Sequence, residues 1–387
     1  MKPIVVLGSG LAGYTLVREL RKLDRDTPVT LITRDSGDYY SKPMLSNALA
    51  QRKSAQALVI TSAADMAEQL GFSLLQHTEV LGIDRAQKQL RTSSGTIEYD
   101  RLVLALGADP IRLPLQGDAA DAVMSVNDLA DYAKFRGRLE AVPQKAGHVA
   151  IIGAGLIGCE FANDLATAGY AVTIIDPTAY PLSGLLPEQA GKQLIDPLAA
   201  QGVAFRFGAA VNAVNLDRTG YALTLSDNSI LHADLVLSAV GLRPRIGLAR
   251  DAGLAVNRGI AVNARLCSSD ASIYALGDCA EIGGRVQPYV MPIMHAARAL
   301  AQVLAGKDAR VEFPAMPVVV KTPAHPVAVL PVARDAAGVW RSLADDDRRG
   351  AKLGFFDLRD RLQGFALTGE YAAERSAMAK LLGEPVT

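Results

Sequence analysis

Cysteine is scarce in this sequence. The 387 residues contain only Cys159, Cys267 and Cys279, and no two of them form a C-x-x-C or C-x-x-x-x-C pair. The five histidines are scattered, and no two of them have the spacing of a zinc site. We therefore expect no metal site, and we expect the cysteines to be small buried side chains in a reducing compartment.

Net charge and long hydrophobic runs are missing as well. The chain has 40 basic and 40 acidic residues, so its charge balance predicts neither nucleic acid nor a membrane surface as a partner. No apolar run reaches the roughly 18 residues of a membrane helix, and the first residues lead into an apolar strand without a cleavable signal pattern. We expect a soluble, cytoplasmic protein of two or three domains, at roughly 100–200 residues per domain.

One glycine pattern is present twice, in "VVLGSGLAGY" and in "IIGAGLIGCE". Each segment contains Gly-x-Gly-x-x-Gly, with the glycines at Gly8, Gly10 and Gly13 and at Gly153, Gly155 and Gly158. An apolar strand precedes each pattern, and a stretch with helical apolar spacing follows it. Such glycines allow a tight turn, close approach to a pyrophosphate and close packing of helix on strand. Since a helix N-terminus also attracts phosphate, the repeat predicts two dinucleotide sites.

The end of the next strand distinguishes the two predicted sites. After the second pattern, "AVTIID" ends in Asp176, whose carboxylate would hydrogen-bond the adenosine ribose and repel a 2′-phosphate. The second site is therefore predicted to prefer NADH over NADPH. After the first pattern, "PVTLIT" ends in Thr33, and Arg34 and Asp35 follow. Asp35 is either a displaced ribose carboxylate or a residue that caps a turn, and the sequence favours neither.

Three later strands complete the pattern. "LVLALGADPIRLP" and "LVLSAVGLRPR" each run from an apolar strand into glycine and proline, the second through Gly241. "SIYALGDCAE" ends in Gly277 and Asp278. An aspartate at that point either caps a helix or hydrogen-bonds a polyol such as the ribityl chain of a flavin. The two dinucleotide patterns ahead of it favour the cofactor role.

This order of motifs resembles the pyridine-nucleotide oxidoreductases of glutathione-reductase type, flavoproteins with two dinucleotide-binding domains. The resemblance covers residues 1–305. It implies an α/β fold with two Rossmann-like domains, for FAD and NAD, plus a small α+β C-terminal domain. The implied FAD-binding domain comprises 1–111 and 242–309, the NAD-binding domain 112–241, and the C-terminal interface domain 310–387. The implied cofactors are FAD and NADH.

The segment "DYYSKPMLSNAL" contains no cysteine, although related disulfide reductases carry a cysteine pair there and related NADH oxidases carry one, near Ser46. With no thiolate to attack a disulfide, a dithiol relay is excluded. "YSKPMLS" instead resembles the reductases of small iron–sulfur proteins, and "VKTPAHP" resembles the branch that reduces rubredoxin. Lys42 replaces an arginine of the wider pattern and Asn47 replaces a lysine. We therefore transfer no lysine–Glu160 ion pair to position 47.

The resemblance also implies the residues of both sites. The implied catalytic residues are Lys42, Glu160 and Lys321, with the two lysines as the cations at the flavin. The implied FAD-binding residues are Gly8, Ser9, Gly10, Leu11, Ala12, Gly13, Thr33, Arg34, Lys42, Val80, Ala105, Gly107, Asp278, Val290 and Lys321. The implied NAD-binding residues are Gly153, Gly155, Leu156, Ile157, Gly158, Glu160, Asp176 and Gly241.

The function implied is an NADH-dependent reductase that passes hydride to FAD and then single electrons to rubredoxin, in support of alkane hydroxylation or oxygen detoxification. Two alternatives stay open: a reductase for a ferredoxin or for the rubredoxin module of a flavodiiron protein, and a non-enzymatic regulator that senses flavin and NADH. Residues 1–53 contain nine Lys/Arg and five Asp/Glu. This excess indicates either a basic docking face near Arg52 and Lys53 or an ordinary solvated surface.

The last residues predict a small antiparallel sheet. Short apolar runs in "PVVVKTP", "HPVAVLPV" and "AKLGFFDL" alternate with the turn-like "RDAAGV" and "LADDDRRG", and "AERSAMAKLLG" predicts a closing helix. Prolines in the first two runs predict edge strands. We expect this short domain to leave the protein a monomer or a weak homodimer.

Overall fold

The computed structural model describes residues 2–142, 147–218, 220–333, 335–344, 346 and 348–383. The chain forms two compact units, and both are discontinuous. The first comprises Met1–Lys42, Gln56–Asp109 and Leu242–Pro314, and the second comprises Pro43–Ala55, Pro110–Gly241 and Ala315–Thr387. Among the described residues, no helix is both long and apolar enough to cross a membrane.

A five-stranded parallel sheet forms the centre of the first unit. Its strands, in spatial order, are Ile273–Ala275, Arg101–Leu104, Ile4–Leu7, Val29–Ile32 and Ser73–Leu75. Ile4 pairs with Val29 on one side and with Arg101 on the other. Every residue of the central strand is buried, which explains why "IVVL" is apolar throughout rather than alternating.

Two long helices pack against each other in the first unit. Helix Leu11–Arg21 begins directly after Gly10, and helix Val290–Leu304 packs along it. Their buried side chains belong to the same core as the parallel sheet. The smaller elements are helices Ala63–Leu70 and Gly247–Asp251, the 3₁₀ turns Gln56–Leu58 and Gly277–Cys279, the antiparallel sheet Val80–Asp84, Gln89–Thr92 and Gly95–Glu98, and the strand pairs Tyr39–Tyr40 with Val59–Thr61, Ile260–Val262 with Ala280–Ile282, and Ala108–Pro110 with Leu242–Pro244.

The second unit repeats the same plan. Its parallel sheet has the spatial order Val203–Phe207, Ala171–Asp176, His148–Ile152 and Leu235–Ser238. Helix Leu156–Thr167 begins directly after Gly155. The other elements here are helices Leu129–Glu140, Glu188–Lys192 and Ile195–Ala199, the 3₁₀ turn Ala120–Ala122, and the antiparallel strands Val211–Leu216, Tyr221–Leu225 and Ile230–Ala233. The predicted α/β class with two Rossmann-like arrangements is confirmed.

A five-stranded sheet also forms near the C-terminus. Its spatial order is Val318–Val320, Val327–Leu330, Leu362–Thr368, Lys352–Asp357 and Gly338–Ser342, and every pairing is antiparallel. The 3₁₀ segment Gly369–Glu374 and the helix Arg375–Lys380 follow, and the helix is shorter than the sequence predicted.

The prediction of two edge strands is half wrong. Val318–Val320 lies at an edge, but Val327–Leu330 is an interior strand. Its prolines, Pro326 and Pro331, flank the strand instead of interrupting it, so no ladder hydrogen bond is lost. Strand Gly338–Ser342 includes the end of a segment that we expected to be a turn.

Candidate functional site

The first glycine loop, residues 8–13, has the geometry that its sequence predicted. Gly8 has a φ of +116°, and a Cβ there would lie 2.3 Å from the carbonyl oxygen of Ala105. A Cβ on Gly13 would lie 2.0 Å from the carbonyl oxygen of Gly8. Around Gly10, in contrast, a Cβ would meet nothing within 4 Å. The outer glycines thus permit the turn and the packing, and the middle one leaves open space at the start of a helix.

The second glycine loop, residues 153–158, repeats this geometry. Gly153 has a φ of +109°, and its Cβ would lie 2.7 Å from the carbonyl oxygen of Ala239. A Cβ on Gly158 would lie 2.0 Å from the carbonyl oxygen of Gly153, while Gly155 again faces open space.

The helices that follow both loops begin without a competing anion. Their N-caps, Gly10 and Gly155, make no side-chain capping bond, and neither helix has an acidic residue in its first turn. The unpaired N–H groups and the positive end of the helix dipole are therefore available at both loops. Each loop fits a pyrophosphate.

Asp176 lies beside the second glycine loop. One carboxylate oxygen accepts the backbone N–H of Ala154, which belongs to that loop, at 2.6 Å. The other accepts the N–H and the hydroxyl of Thr178 at 2.8 and 2.6 Å. The carboxylate is thus fixed next to the second glycine loop.

Asp35 has a different environment at the first loop. Its Oδ1 accepts the hydroxyl of Thr33 at 2.6 Å and the backbone N–H of Gly37 at 2.9 Å. Gly37 has a φ of +74°, so Asp35 caps a tight turn. The structure shows that Asp35 caps this turn, while its alternative role as a ribose carboxylate stays a prediction. The hydroxyl of Ser9, a residue of the glycine loop, lies 2.9 Å from the hydroxyl of Thr33 and so connects the loop to this hydrogen-bond network.

Asp278 also lies close to the first loop. A Cβ on the preceding residue, Gly277, would come within 2.9 Å of the Cβ of Ala12. Burial raises the pKa of Asp278, while the charges of Lys42 and Arg245 act in the opposite direction. The predicted residues Lys42 and Asp278 therefore belong to one electrostatic environment in the first unit.

The remaining predicted cofactor residues fall into two groups. In the first unit, Leu11 and Ala12 begin the helix after the loop, Ala105 and Gly107 follow strand Arg101–Leu104, Arg34 follows Thr33, Val80 begins an antiparallel strand, and Val290 begins helix Val290–Leu304. In the second unit, Leu156 and Ile157 begin the helix after the loop, and Gly241 accepts a hydrogen bond from the N–H of Ile111 at 3.0 Å.

Glu160 forms a buried ion pair in the second unit. Its side chain is 0% exposed, and Oε2 accepts the Lys321 ammonium at 2.8 Å and the hydroxyl of Ser46. Oε1 accepts the backbone N–H of Lys321 at 2.8 Å. Lys321 also donates to the carbonyl of Pro43. Breaking a buried pair of this kind leaves an uncompensated charge, which typically costs about 3–5 kcal/mol.

The sequence does not predict that Glu160 pairs with Lys321. The two residues are separate catalytic candidates in the sequence, 161 residues apart. Position 47 indeed supplies no cation, since the Asn47 amide donates to Ser46 at 3.4 Å. The ion pair is formed by a lysine from the C-terminal segment instead. No local pattern in the sequence could have indicated this pairing.

Glu160 belongs to a buried polar face of helix Leu156–Thr167. Asn163 accepts the backbone N–H of Ala324 at 3.1 Å, and Asp164 accepts the N–H groups of Leu49 and Ala50, both at 2.9 Å. Glu160, Asn163 and Asp164 are buried and lie at the i, i+3 and i+4 positions of one face. This spacing was visible in "CEFANDL", but we considered only Glu160.

None of the three cysteines has the properties of a reactive thiolate. Cys159 and Cys279 are buried and donate to the carbonyls of Ala154 and Leu104 at 3.4 and 3.3 Å. Burial raises the pKa of the Cys159 thiol to about 12 and that of the Cys279 thiol to about 11. Burial also raises the pKa of the Cys267 thiol. All three thiols are therefore protonated at neutral pH. In the described parts of the chain, no cluster of His, Cys, Asp and Glu has the arrangement of a metal site.

Comparison with known proteins gives consistent matches. The family described as "Pyridine nucleotide-disulphide oxidoreductase" matches residues 2–302, and the family "Rubredoxin binding C-terminal domain" matches residues 310–382. A rubredoxin-NAD(+) reductase of Alcanivorax borkumensis is 47% identical over 384 residues, which is 99% of both chains. A nitric oxide reductase FlRd-NAD(+) reductase of Aeromonas hydrophila is 43% identical over 84% of this chain and 83% of its own. The structure is also similar to the reductase in a covalent putidaredoxin reductase–putidaredoxin complex, with a TM-score of 0.88, 25% identity and coverage of 99% of this chain and 94% of that one.

Asp164 should make stability depend on pH. Burial raises the pKa of Asp164 to about 6, against the opposing effects of the two N–H groups and of the charges of Lys321 and Arg136. The folded protein therefore holds a proton that the unfolded chain releases between about pH 4 and pH 6, so this group should lower the stability as the pH rises through that range. Asp164→Asn should remove this part of the pH dependence in urea unfolding.

The control is Asp251→Asn, at an exposed carboxylate that pairs with Arg250. It should leave the pH profile of the wild type unchanged. Identical profiles for wild type and Asp164→Asn would contradict the assignment.

Proposed function

The chain belongs to the pyridine nucleotide-disulphide oxidoreductase family, and we propose that it is an FAD-dependent reductase that transfers electrons from NADH to rubredoxin. The match of the family to residues 2–302 confirms the resemblance that the motifs indicated. The observation that carries the proposal is the presence of two loops that fit a pyrophosphate in a chain whose residues 310–382 match a rubredoxin-binding domain.

The two loops have different ligands in this proposal. The first loop holds FAD, with Asp278 beside it, and the second holds NADH, with Asp176 on the ribose. Bound FAD would supply the chemistry that links a two-electron donor, NADH, to a one-electron acceptor, rubredoxin, and Gly8, Gly10 and Gly13 would hold its pyrophosphate. Per turnover, one NADH becomes NAD⁺, two rubredoxins are reduced and one proton is released. The protein holds both dinucleotides in place, so the hydride transfer takes place within one complex.

Glu160 and Lys321 are assigned an electrostatic role. The reduced flavin gains negative charge, which a nearby cation stabilises. Glu160 is fully buried and orients the Lys321 ammonium, whose side chain keeps 32% of its surface exposed. We propose Lys321 as the cation for the reduced flavin, with Lys42 as a second one. Glu160 and Ser46 are positioning residues for Lys321.

The thiols have no part in the proposed route. A thiol relay requires a thiolate, and burial keeps Cys159 and Cys279 protonated. Ser46, at the position near which related oxidases carry a cysteine, donates its hydroxyl to Glu160. None of these thiols would therefore form a covalent intermediate in the reaction.

A second candidate function has support of its own. The Aeromonas hydrophila relative is named for a nitric oxide reductase system, so the acceptor of this chain is either a separate rubredoxin or the rubredoxin module of a flavodiiron protein. We place the protein in the cytoplasm, where its three free cysteines stay reduced. The docking face near Arg52 and Lys53 and a monomeric or weakly dimeric state stay predictions.

The purified protein should be yellow, with one non-covalent FAD per chain, and it should reduce rubredoxin with NADH. Stopped-flow rates with a rubredoxin, a ferredoxin and the rubredoxin module of a flavodiiron protein would rank the acceptors. A protein that binds FAD and NADH but turns over no acceptor would instead be a regulator. A colourless protein that takes up no FAD would end the proposal.

NADH should be strongly preferred over NADPH, because Asp176 places a carboxylate where a 2′-phosphate would lie. Asp176→Arg removes this repulsion and adds an anion partner, so kcat/KM should shift toward NADPH. Asp196→Arg makes the same change of charge elsewhere in the second unit and should leave the preference unchanged. Equal use of both dinucleotides by the wild type would show that Asp176 has another role.

Replacing all three cysteines by alanine should leave NADH-dependent rubredoxin reduction within a few fold. Lys321→Ala should instead slow flavin reduction or lower the flavin potential, by an amount that matches about 1–3 kcal/mol for a charge-assisted contact. Stopped-flow absorbance of the flavin measures both variants.

Lys321→Ala also leaves Glu160 unpaired, so its unfolding must be measured as well. The double variant Glu160→Gln/Lys321→Met removes both charges and should recover stability without recovering the rate. A cysteine-free protein that cannot pass electrons to rubredoxin, together with a fully active Lys321→Ala, would refute the direct route.

A further inference from the structure

Arg245 is connected to one short segment of the first unit by several hydrogen bonds. Its Nε donates to Asp109 Oδ1 at 2.7 Å, and Nη2 contacts the same oxygen. Its Nη1 donates to the carbonyl of Leu106 at 2.8 Å, and its backbone N–H donates to the carbonyl of Gly107 at 3.0 Å. All of these contacts fall on residues 106–109, although Arg245 is more than 130 residues away in sequence.

The residue directly before this segment, Ala105, lies against the first glycine loop. The N–H of Ala105 donates to the carbonyl of Leu7 at 2.9 Å. A Cβ on Gly8 would lie only 2.3 Å from the carbonyl oxygen of Ala105, so a side chain at position 8 would clash with it. Gly107 has a φ of +70°, in the left-handed region that favours glycine. The position of residues 105–107 therefore determines how much space remains at the loop.

The charges around Asp109 favour a fixed ion pair. Burial alone would raise the pKa of Asp109, but the hydrogen bond and charge of Arg245, together with the charges of Arg34 and Lys42, lower it. Asp109 is therefore ionised at neutral pH. The charge of Arg245 also lowers the pKa of Asp278, against the effect of burial.

The geometry points to Arg245 as a positioning residue for FAD. Its guanidinium holds residues 106–109 in place, and these residues keep the preceding Ala105 against Gly8. The inference rests on the proposed function only in that the ligand of this loop is FAD. The bonds to Asp109 and to the carbonyl of Leu106 leave from separate nitrogens of one planar group. A lysine donates from one nitrogen only and does not match these separate positions.

The experiment compares Arg245→Ala and Arg245→Lys with Arg250→Ala. Arg250 belongs to the same unit and pairs with the exposed Asp251, so it is the matched control. FAD dissociation is measured by diluting the holoenzyme and following flavin fluorescence. We expect Arg245→Ala to weaken FAD binding about ten- to hundredfold, as loss of charge-assisted hydrogen bonds predicts, Arg245→Lys to recover little of it, and Arg250→Ala to stay within about twofold.

Two further readouts separate positioning from general stability. The visible circular dichroism of the flavin, recorded in excess FAD, should change in both Arg245 variants and not in Arg250→Ala. Asp109→Asn should weaken FAD binding in the wild-type background and have little effect when Arg245 is already alanine. If Arg245→Ala does not fold, Arg245→Lys and Asp109→Asn still give the comparison.

The possible results are distinct. Wild-type FAD affinity and an unchanged flavin spectrum in Arg245→Ala would overturn the inference. Full recovery of FAD affinity by Arg245→Lys would also overturn it, because a positive charge alone would then be sufficient. A wild-type protein that binds no FAD would overturn the proposed function itself.

Discussion

The buried carboxylate of Glu160 is the charge on which the arrangement of the second unit depends. A fully buried anion is tolerated only with a complete set of partners, and here the partners come from two distant parts of the chain. Lys321 brings the C-terminal segment to the helix, and Ser46 brings the segment 43–55. Asn163 and Asp164 extend the same polar face and bind the same two parts. One helix therefore assembles three pieces of sequence, and it is also the helix that begins at the second glycine loop.

The two glycine loops show how strongly backbone sterics limit the solutions. In both, the third glycine touches the carbonyl of the first, and the first touches a carbonyl from a neighbouring strand end. The loops differ only beyond this shared geometry. Asp35 and Asp176 each cap a turn two residues later. Asp176 binds its loop through the N–H of Ala154, whereas Asp35 binds its loop through the hydroxyl of Ser9. The same loop geometry thus occurs with different surrounding side chains.

Much of the fold and part of the site followed from local pattern. The strands, the helices after the loops and the steric geometry of the two glycine loops all depend on residues close together in sequence. Local pattern failed where neighbours in the sheet decide the outcome. Val327–Leu330 is interior because another strand, Leu362–Thr368, pairs with it, and its flanking prolines could not show this.

What the sequence determined by itself is the chemistry at each turn. Glycine positions, the carboxylate at a strand end and the lack of a suitable cysteine are fixed by composition and short-range sterics. What only the tertiary structure decided is which distant charges meet. Lys321 pairs with Glu160, and Arg245 binds residues 106–109, across separations of more than 130 residues. Both pairs form because the tertiary structure brings distant segments together, and at Glu160 full burial also makes an unpaired charge too costly to leave. No periodicity or spacing within either segment carries that information.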